Sequence, residues 1–273
     1  MSNRIKSILY VLLIGIGIFC SFLPVGLQVY YAWEDSKILS SYDAKIDEMD
    51  SELLVFERNQ GIEYNRCLFE SRKYGICNKK SFASAYGEVL NTDKLDIMAK
   101  IKIPKIDLQL PIYHDVNEDV LSKGIGHLPT SSLPIGGQNT RTILMGHRGA
   151  YQNNFFTRLD ELKKGDLIYI DVLNQKNCYK ISRISVIRPE EVEEISIEEG
   201  EDLLTLITCT PYGINTHRLV IDAKRVAYDS NEEKKIKKKI PSFRELFIKI
   251  TPLIWTLIVV QMVWKRYRRK KIE

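Results

Sequence analysis

The sequence is poor in histidine and cysteine, the usual ligands of zinc. It has four histidines and five cysteines among 273 residues. Their spacings match no zinc pattern, such as paired Cys-x-x-Cys motifs. No internal repeat is visible. We therefore expect neither a bound metal nor a cofactor.

Positive charge is scarce in the centre of the chain. The net charge is +5, yet eleven basic residues near the C-terminus form two clusters, and the charge is −6 without them. The mildly acidic remainder does not look like a nucleic-acid surface. The clusters flank an apolar segment, so a membrane explains them better. They are Lys234, Lys235, Lys237, Lys238 and Lys239, then Lys265, Arg266, Arg268, Arg269, Lys270 and Lys271.

The first apolar segment, residues 7–28, has no charged residue. About 20 apolar residues span a bilayer. A cleaved signal peptide is the alternative, but no Ala-x-Ala-like site follows. We predict a transmembrane helix over residues 7–30. Basic residues in 1–6 and acidic residues after the helix place the N-terminus in the cytoplasm.

A second apolar segment lies near the C-terminus. Residues 250–264 are short for a span, and we predict a transmembrane helix over 247–264 with a basic cytoplasmic tail, residues 265–273. The alternative is a single anchor followed by a helix on the membrane surface. The first interpretation predicts a two-pass protein of the cell membrane whose central part, from about residue 34 to residue 245, is extracellular.

Residues 31–95 are predicted to be an extracellular helical region. Apolar residues at helical intervals favour a helix over 35–60, broken near Ser41. The irregular residues 61–92 form either a lid over a cleft or an ordered connector. Cys67 and Cys77 are ten residues apart there. A disulfide between them suits an oxidising compartment, and two free thiols are the alternative.

The pattern becomes β-rich over residues 96–228, with a basic linker, residues 229–246, after it. About eight short strands and few helices indicate a mainly β protein with a closed or nearly closed barrel. Residues 124–137 are predicted to be a loop. The clearest strands are 97–103, 108–113, 140–145, 167–173, 178–187, 203–208 and 219–226.

The most informative stretch surrounds Cys209. One β-rich run ends at this cysteine, a turn follows, and a second run begins near Arg218. Two strands joined in this way hold a thiol and a guanidinium close together at the rim of a sheet. Positive charge nearby makes a thiol a better nucleophile. The alternative for Cys209 is a buried structural thiol, and for Arg218 a salt bridge elsewhere.

A cysteine nucleophile needs a partner that can donate a proton to a leaving amine. Histidine suits this role because its unperturbed pKa lies near neutrality. His147 follows a strand and sits between glycines, which predicts a position at the rim. His114 and His127 could line the cleft. Expected substrate contacts are Thr208, Thr210, His127 and Tyr212.

Several motifs together resemble the sortase family. They are Ile103-Pro104-Lys105-Ile106, Leu110-Pro111-Ile112-Tyr113-His114, Gly126-His127-Leu128, Thr130-Ser131-Ser132-Leu133-Pro134, Gly146-His147-Arg148-Gly149, Thr208-Cys209-Thr210-Pro211-Tyr212-Gly213 and Asn215-Thr216-His217-Arg218-Leu219. The combination is similar to class C, the pilin-polymerising branch of Gram-positive bacteria.

This resemblance implies an eight-stranded sortase β-barrel and assigns three roles. Cys209 would be the nucleophile, His147 the proton donor and acceptor, and Arg218 the residue that stabilises substrate and oxyanion. The enzyme would cut a Leu-Pro-X-Thr-Gly-type signal after Thr and join the acyl group to a pilin lysine. Its partners would be pilin subunits carrying the signal and the acceptor lysine.

One feature departs from the class C pattern. No Asp-Pro-aromatic tripeptide, typical of the class C lid, occurs between residues 35 and 97. The lid is then absent or rebuilt around Cys67 and Cys77, with Phe69 or Tyr74 in the cleft. Other functions compatible with the sequence are a sortase acting on cell-wall peptide amines, a cell-wall cysteine peptidase using water, and a catalytically silent scaffold.

Overall fold

A computed structural model describes residues 3–77, 86–91, 97–149, 155–238 and 243–270. The chain divides into two units, Glu34–Lys239 and Met1–Trp33 with Ile240–Glu273. The larger unit contains a closed eight-stranded barrel, as the sequence predicted. Its strands are β1 (Ile97–Ile103), β2 (Leu108–His114), β3 (Ile125–His127), β4 (Thr140–Met145), β5 (Leu167–Val172), β6 (Gln175–Ile187), β7 (Asp202–Thr210) and β8 (His217–Val226).

The strand order around the barrel is β1-β2-β3-β4-β7-β8-β6-β5. Most neighbours are antiparallel, but β2 pairs with β3 and β4 pairs with β7 in parallel. The segment between β4 and β7 contains the β5–β6 hairpin. Strand β5 of this hairpin pairs with β1 and closes the barrel. Apolar side chains fill the interior and form one core. This order brings the C-terminal ends of β4 and β7 together.

Short helices and turns connect the strands. Helix α3 (Glu118–Lys123) precedes β3, and α4 (Ser230–Lys235) follows β8. Short 3₁₀ helices occur at Pro104–Ile106, Leu159–Glu161 and Pro189–Glu194. The prediction of a loop over residues 124–137 was wrong at Ile125–His127, which form β3.

Two helices precede the barrel. α1 spans Asn3–Glu48, and α2 spans Ser51–Tyr74. The predicted helix break near Ser41 was wrong. Helix α1 continues through Ser41 to Glu48, and residues 49–50 separate it from α2. Tyr42 on α1 is 1% exposed. Its hydroxyl donates to the carbonyl of Met98 at 3.4 Å and accepts from the amide of Leu173 at 3.2 Å, which fixes α1 to β1 and the β5–β6 turn.

The prediction of irregular structure over residues 61–92 was wrong for the part that belongs to helix α2. Residues 61–74 are helical rather than irregular, and Phe69 and Tyr74 lie on this helix. Tyr74 is 56% exposed, so it does not enter a cleft. Cys67 and Cys77 form a disulfide at the end of α2. Residues 78–85 and 92–96 of the expected lid region lie outside the described residues.

The smaller unit holds the two apolar segments. Among the described residues, α1 is the one helix long and apolar enough to cross a membrane by length and composition. Helix α5 (Phe243–Lys270) contains a shorter apolar stretch, Ile250–Lys265. The second span therefore stays a prediction.

Candidate active site

Three strand ends converge on the candidate residues. Cys209 lies one residue before the end of β7 and pairs directly with Arg218 of β8. Directly paired residues of antiparallel strands project to the same face, with Cβ atoms about 5 Å apart. Cys209 is a free, half-buried cysteine. The predicted closeness of thiol and guanidinium follows from this register.

His147 reaches the same rim from β4. In the parallel β4–β7 pair, Met145 is the partner of Ile207. The amide of Gly146 donates to the carbonyl of Ile207 at 3.2 Å, which extends the pairing by one residue. Continued by two residues beyond the Met145–Ile207 pair, the same register would set His147 opposite Cys209.

Close packing holds the loop around His147. A Cβ atom at Gly146 would lie 2.6 Å from Ile125 Cδ1 and 3.0 Å from the ring of Phe156. Gly149 has φ of +84°, and a Cβ atom there would lie 2.6 Å from the ring of Tyr212. Both positions therefore require glycine, one for close approach and one also for its left-handed backbone.

The His147 side chain is 35% exposed, and its Nε2 lies 3.4 Å from Glu118 Oε2. The Glu118 side chain is 89% exposed, so this contact is a surface ion pair that is charged only when the imidazole is protonated. The imidazole is therefore accessible from solvent.

Arg218 is half-buried at the start of β8. Its Nη1 donates to the carbonyls of Asn215 and His217, each at 3.2 Å. His217 pairs with Thr210 and, by strand alternation, faces away from Arg218. Both hydrogen bonds use the same terminal nitrogen, and the two carbonyls orient the guanidinium.

A buried polar cluster joins the three strands that carry these residues. Arg141 of β4 donates through Nη1 to Thr205 Oγ1 of β7 and to Asp222 Oδ1 of β8, each at 2.9 Å. The hydroxyl of Thr205 also donates to Asp222 Oδ1 at 2.8 Å. Arg141 and Asp222 are 4% and 5% exposed. Buried polar groups with matched partners rigidify a fold, so the strands below the site are held in fixed relation.

The prediction that His127 contacts substrate was wrong. His127 lies in β3 with 0% exposure. Its Nε2 donates to the carbonyl of Ser132 at 2.8 Å, and its Nδ1 lies 2.9 Å from the hydroxyl of Tyr86. Burial lowers the pKa of His127 to about 4, although the Ser132 hydrogen bond opposes this. His127 is thus a neutral core residue. His114 is also buried, with Nε2 2.9 Å from the carbonyl of Val89.

Thr208 also has a different place from the predicted one. It is 2% exposed, and its hydroxyl donates to the carbonyl of Gly146 at 2.7 Å. It joins the strand of Cys209 to the loop of His147 and does not face substrate. Thr210 is half-buried and Tyr212 is 42% exposed, so their contacts with substrate stay predictions.

Arg148 has contacts at the site that sequence reasoning missed. Its Nη1 donates to Thr210 Oγ1 at 3.0 Å, its Nη2 pairs with Asp160, and its guanidinium lies 6.0 Å from the ring centroid of Tyr212. Only its position beside His147 could have drawn attention to it. Within the ranges that the structure describes, no group of three or more His, Cys, Asp or Glu side chains is placed to hold a metal ion.

Comparison with known proteins agrees with this geometry. The family profile described as "Sortase domain" matches residues 101–226. Sortase D of Bacillus subtilis is 30% identical over 152 residues, covering 55% of this chain and 70% of that protein.

Solved structures extend the similarity beyond the barrel. Sortase C1 of Streptococcus agalactiae is 37% identical with a TM-score of 0.65, covering 71% of this chain and all (100%) of that one. Clostridium perfringens sortase C, solved with the C-terminal cell wall sorting motif, is 34% identical with a TM-score of 0.61, covering 71% and 100%. The chain belongs to the sortase family of transpeptidases, and it is a class C sortase.

Proposed function

We propose that this transpeptidase cleaves a Leu-Pro-X-Thr-Gly-type sorting signal after Thr, uses Cys209 as its nucleophile, and transfers the acyl group to a lysine of a pilin subunit. The observation that carries the proposal is the shared rim. Cys209 pairs with Arg218 in the β7–β8 register, and the β4–β7 register, continued two residues beyond the Met145–Ile207 pair, supports a position of His147 opposite the same cysteine.

In the first half-reaction, the Cys209 thiolate attacks the carbonyl carbon of the signal Thr. The guanidinium of Arg218 donates to the carbonyl oxygen as negative charge develops there, since preorganised donors stabilise such an oxyanion. The Thr–Gly C–N bond breaks, and protonated His147 gives its proton to the departing amine. A thioester on Cys209 remains.

In the second half-reaction, a neutral lysine amine attacks the thioester carbonyl. His147 takes the proton that the amine loses, the C–S bond breaks, and the Cys209 thiolate is restored. The product is an isopeptide bond between two subunits. No oxidant, metal or cofactor enters this balance.

Structural relatives support a pilin as the partner. The solved structure of Streptococcus pneumoniae sortase C, which is described as giving insight into pilin substrate specificity, is 35% identical with a TM-score of 0.63. The Clostridium perfringens structure holds a sorting motif. The disulfide Cys67–Cys77 suits an extracellular catalytic unit, because disulfides persist in oxidising compartments.

The first test is to trap the acyl-enzyme. Full-length protein in detergent is incubated with a peptide containing the sorting signal, and the intact mass is measured. We expect an adduct equal to the peptide through its Thr, and none with Cys209→Ala. An adduct that persists in Cys209→Ala would disprove the assigned nucleophile.

The second test identifies the acceptor. Purified pilin is added, and its lysines are replaced in a control. Ladders on a denaturing gel that require a pilin lysine support polymerisation. Monomers joined only to added cell-wall peptide amines would identify a wall-anchoring sortase, and release by water alone would identify a cysteine peptidase.

A further inference from the structure

The guanidinium of Arg148 is buried in the loop that carries His147. Its side chain is 4% exposed, whereas that of its partner Asp160 is 45% exposed. The Nη1 atom donates to Thr210 Oγ1 at 3.0 Å, and the Nη2 atom pairs with Asp160. Burying a cation is costly unless it is paired in a fixed geometry. The positive charge of Arg148 is therefore held in fixed contacts with Thr210 and Asp160, beside the site.

These contacts complete a pair of cross-links around the two candidate catalytic residues. The bond from Thr208 to the Gly146 carbonyl joins the residues that precede Cys209 and His147. The bond from Arg148 to Thr210 joins the residues that follow them. Cys209 and His147 thus each lie between two cross-linked neighbours along the chain.

Only an arginine has the geometry for the second cross-link. Its planar fork directs two terminal nitrogens to separate acceptors, whereas a lysine ammonium is a single point charge. The Nε of Arg148 is buried and has no hydrogen-bond partner in the part of the chain that the structure describes.

We propose that Arg148 is a positioning residue for the transfer reaction. It fixes the His147 loop against the Cys209 strand, so that the imidazole stays within reach of the thiol and of the leaving amine. This rests on the roles of His147 and Cys209 in the proposed function. Arg148 itself touches no reacting atom.

The test compares wild type, Arg148→Ala and Arg148→Lys as full-length proteins in detergent. Because misplacement by about 1 Å costs about 100-fold in rate, we expect Arg148→Ala to lower kcat for acyl-enzyme formation by about 10- to 100-fold with KM unchanged. Arg148→Lys should recover part of the loss, since it retains one of the two contacts.

A second measurement does not depend on the substrate. Alkylation of Cys209 by iodoacetamide is compared at neutral and alkaline pH. A nearby imidazolium favours the reactive thiolate at neutral pH. We expect the ratio of neutral to alkaline reactivity to fall in Arg148→Ala toward the ratio measured for His147→Ala.

Arg158 provides the matched control. It is also a buried arginine, 7% exposed, and it pairs with Glu161, the neighbour of Asp160. Its Nη1 donates to the carbonyl of Ile106, at the end of the turn that follows β1. Arg158→Ala should lower the melting temperature by as much as Arg148→Ala while the folded protein keeps its alkylation ratio and kcat.

Two results would overturn the proposal: an unchanged alkylation ratio and kcat in Arg148→Ala, or an equal loss of both in Arg158→Ala. A wild-type protein that forms no acyl-enzyme with any sorting peptide would instead refute the proposed function. The alkylation ratios would still decide whether Arg148 couples the loop to the strand.

Discussion

At the scale of single residues, Arg218 offers the sharpest test of the oxyanion role. Both of its described backbone contacts use Nη1. Loss of one oxyanion donor typically lowers kcat by about 100- to 1,000-fold. Arg218→Lys keeps the positive charge but loses the planar guanidinium with its two terminal nitrogens. We therefore expect kcat for acyl-enzyme formation to fall by about 100-fold while the melting temperature is unchanged. Acyl-enzyme formation measured by mass spectrometry checks this.

Arg188 is the control for that substitution. Its side chain is 72% exposed, and it pairs with Glu191 at 3.5 Å on the surface. Exposed ion pairs contribute about 0–1 kcal/mol to stability. Arg188→Lys should therefore retain wild-type kcat. Full activity in Arg218→Lys would show that the guanidinium is dispensable.

The buried imidazole of His127 should make the free energy of unfolding depend on pH. Its folded-state pKa of about 4 lies below the ordinary value of 6.5 because the ring is buried. The unfolded chain therefore binds the proton more tightly. The contribution of neutral His127 to the free energy of unfolding is therefore fully present above pH 6.5. It is lost as the pH falls toward 4, which lowers the free energy of unfolding by about 3 kcal/mol.

Thermal unfolding across this pH range measures the effect. For a protein of this size, about 3 kcal/mol corresponds to roughly 6–12 °C in melting temperature. His127→Gln, whose side chain does not titrate, should show a smaller decrease. Equal decreases in the two proteins would assign the acid sensitivity to other groups.

The positions of Cys209 and His147 at strand ends could be predicted because their local sequence is distinctive. Cys209 and His147 both follow β-rich runs and precede turn formers. The places of His127 and Arg148 could not be predicted in this way. They depend on closure of the barrel and on contacts with residues distant in the chain, such as Tyr86 and Asp160.

At the scale of elements, the attachment of α2 to the β3–β4 connection depends on Asn65. Its Nδ2 donates to the carbonyl of Leu133 at 3.0 Å, and its Oδ1 accepts from the amide of the same residue at 2.7 Å. Asn65 is 3% exposed. Each buried group left unsatisfied costs about 1–3 kcal/mol, so Asn65→Ala should lower the free energy of unfolding by about 2–5 kcal/mol.

The next residue on α2 supplies the comparison. Arg66 pairs with Glu63 and Glu70 on the exposed face of the helix. Helical surface pairs contribute about 0.2–0.5 kcal/mol each. Arg66→Ala should therefore leave the free energy of unfolding close to the wild-type value in the same denaturation measurement. Similar costs for the two variants would show that Asn65 does not anchor the helix.

Elements with a clear apolar pattern were predictable, and elements whose buried faces are mixed were not. The bounds of β1 and β4 agree with the predictions because β-branched and apolar residues dominate them. Helix α2 buries Gly61, Asn65 and Ser71 among apolar residues, which hides its period. β3 has only three residues, too few for a pattern to emerge.

At the scale of the whole molecule, the two-pass topology rests on helix α5. The helix has 28 residues, a length of about 42 Å at 1.5 Å per residue. The hydrocarbon core is about 30 Å thick, so the helix is long enough to cross it. Its apolar stretch, Ile250–Lys265, is shorter than the helix and ends at a basic cluster. Clustered lysine and arginine favour the cytoplasmic side.

We therefore expect the C-terminus to lie in the cytoplasm and the catalytic unit outside. Single cysteines at Glu273 or at the exposed Glu190 are introduced after Cys20, Cys178 and Cys209 are replaced. A membrane-impermeant maleimide should label Glu190→Cys on intact protoplasts and Glu273→Cys only after lysis. Labelling of both on intact protoplasts would mean that α5 does not cross the bilayer. The chain would then have one anchor, with its C-terminal helix lying on the outer surface, where a basic amphipathic helix can bind anionic lipid.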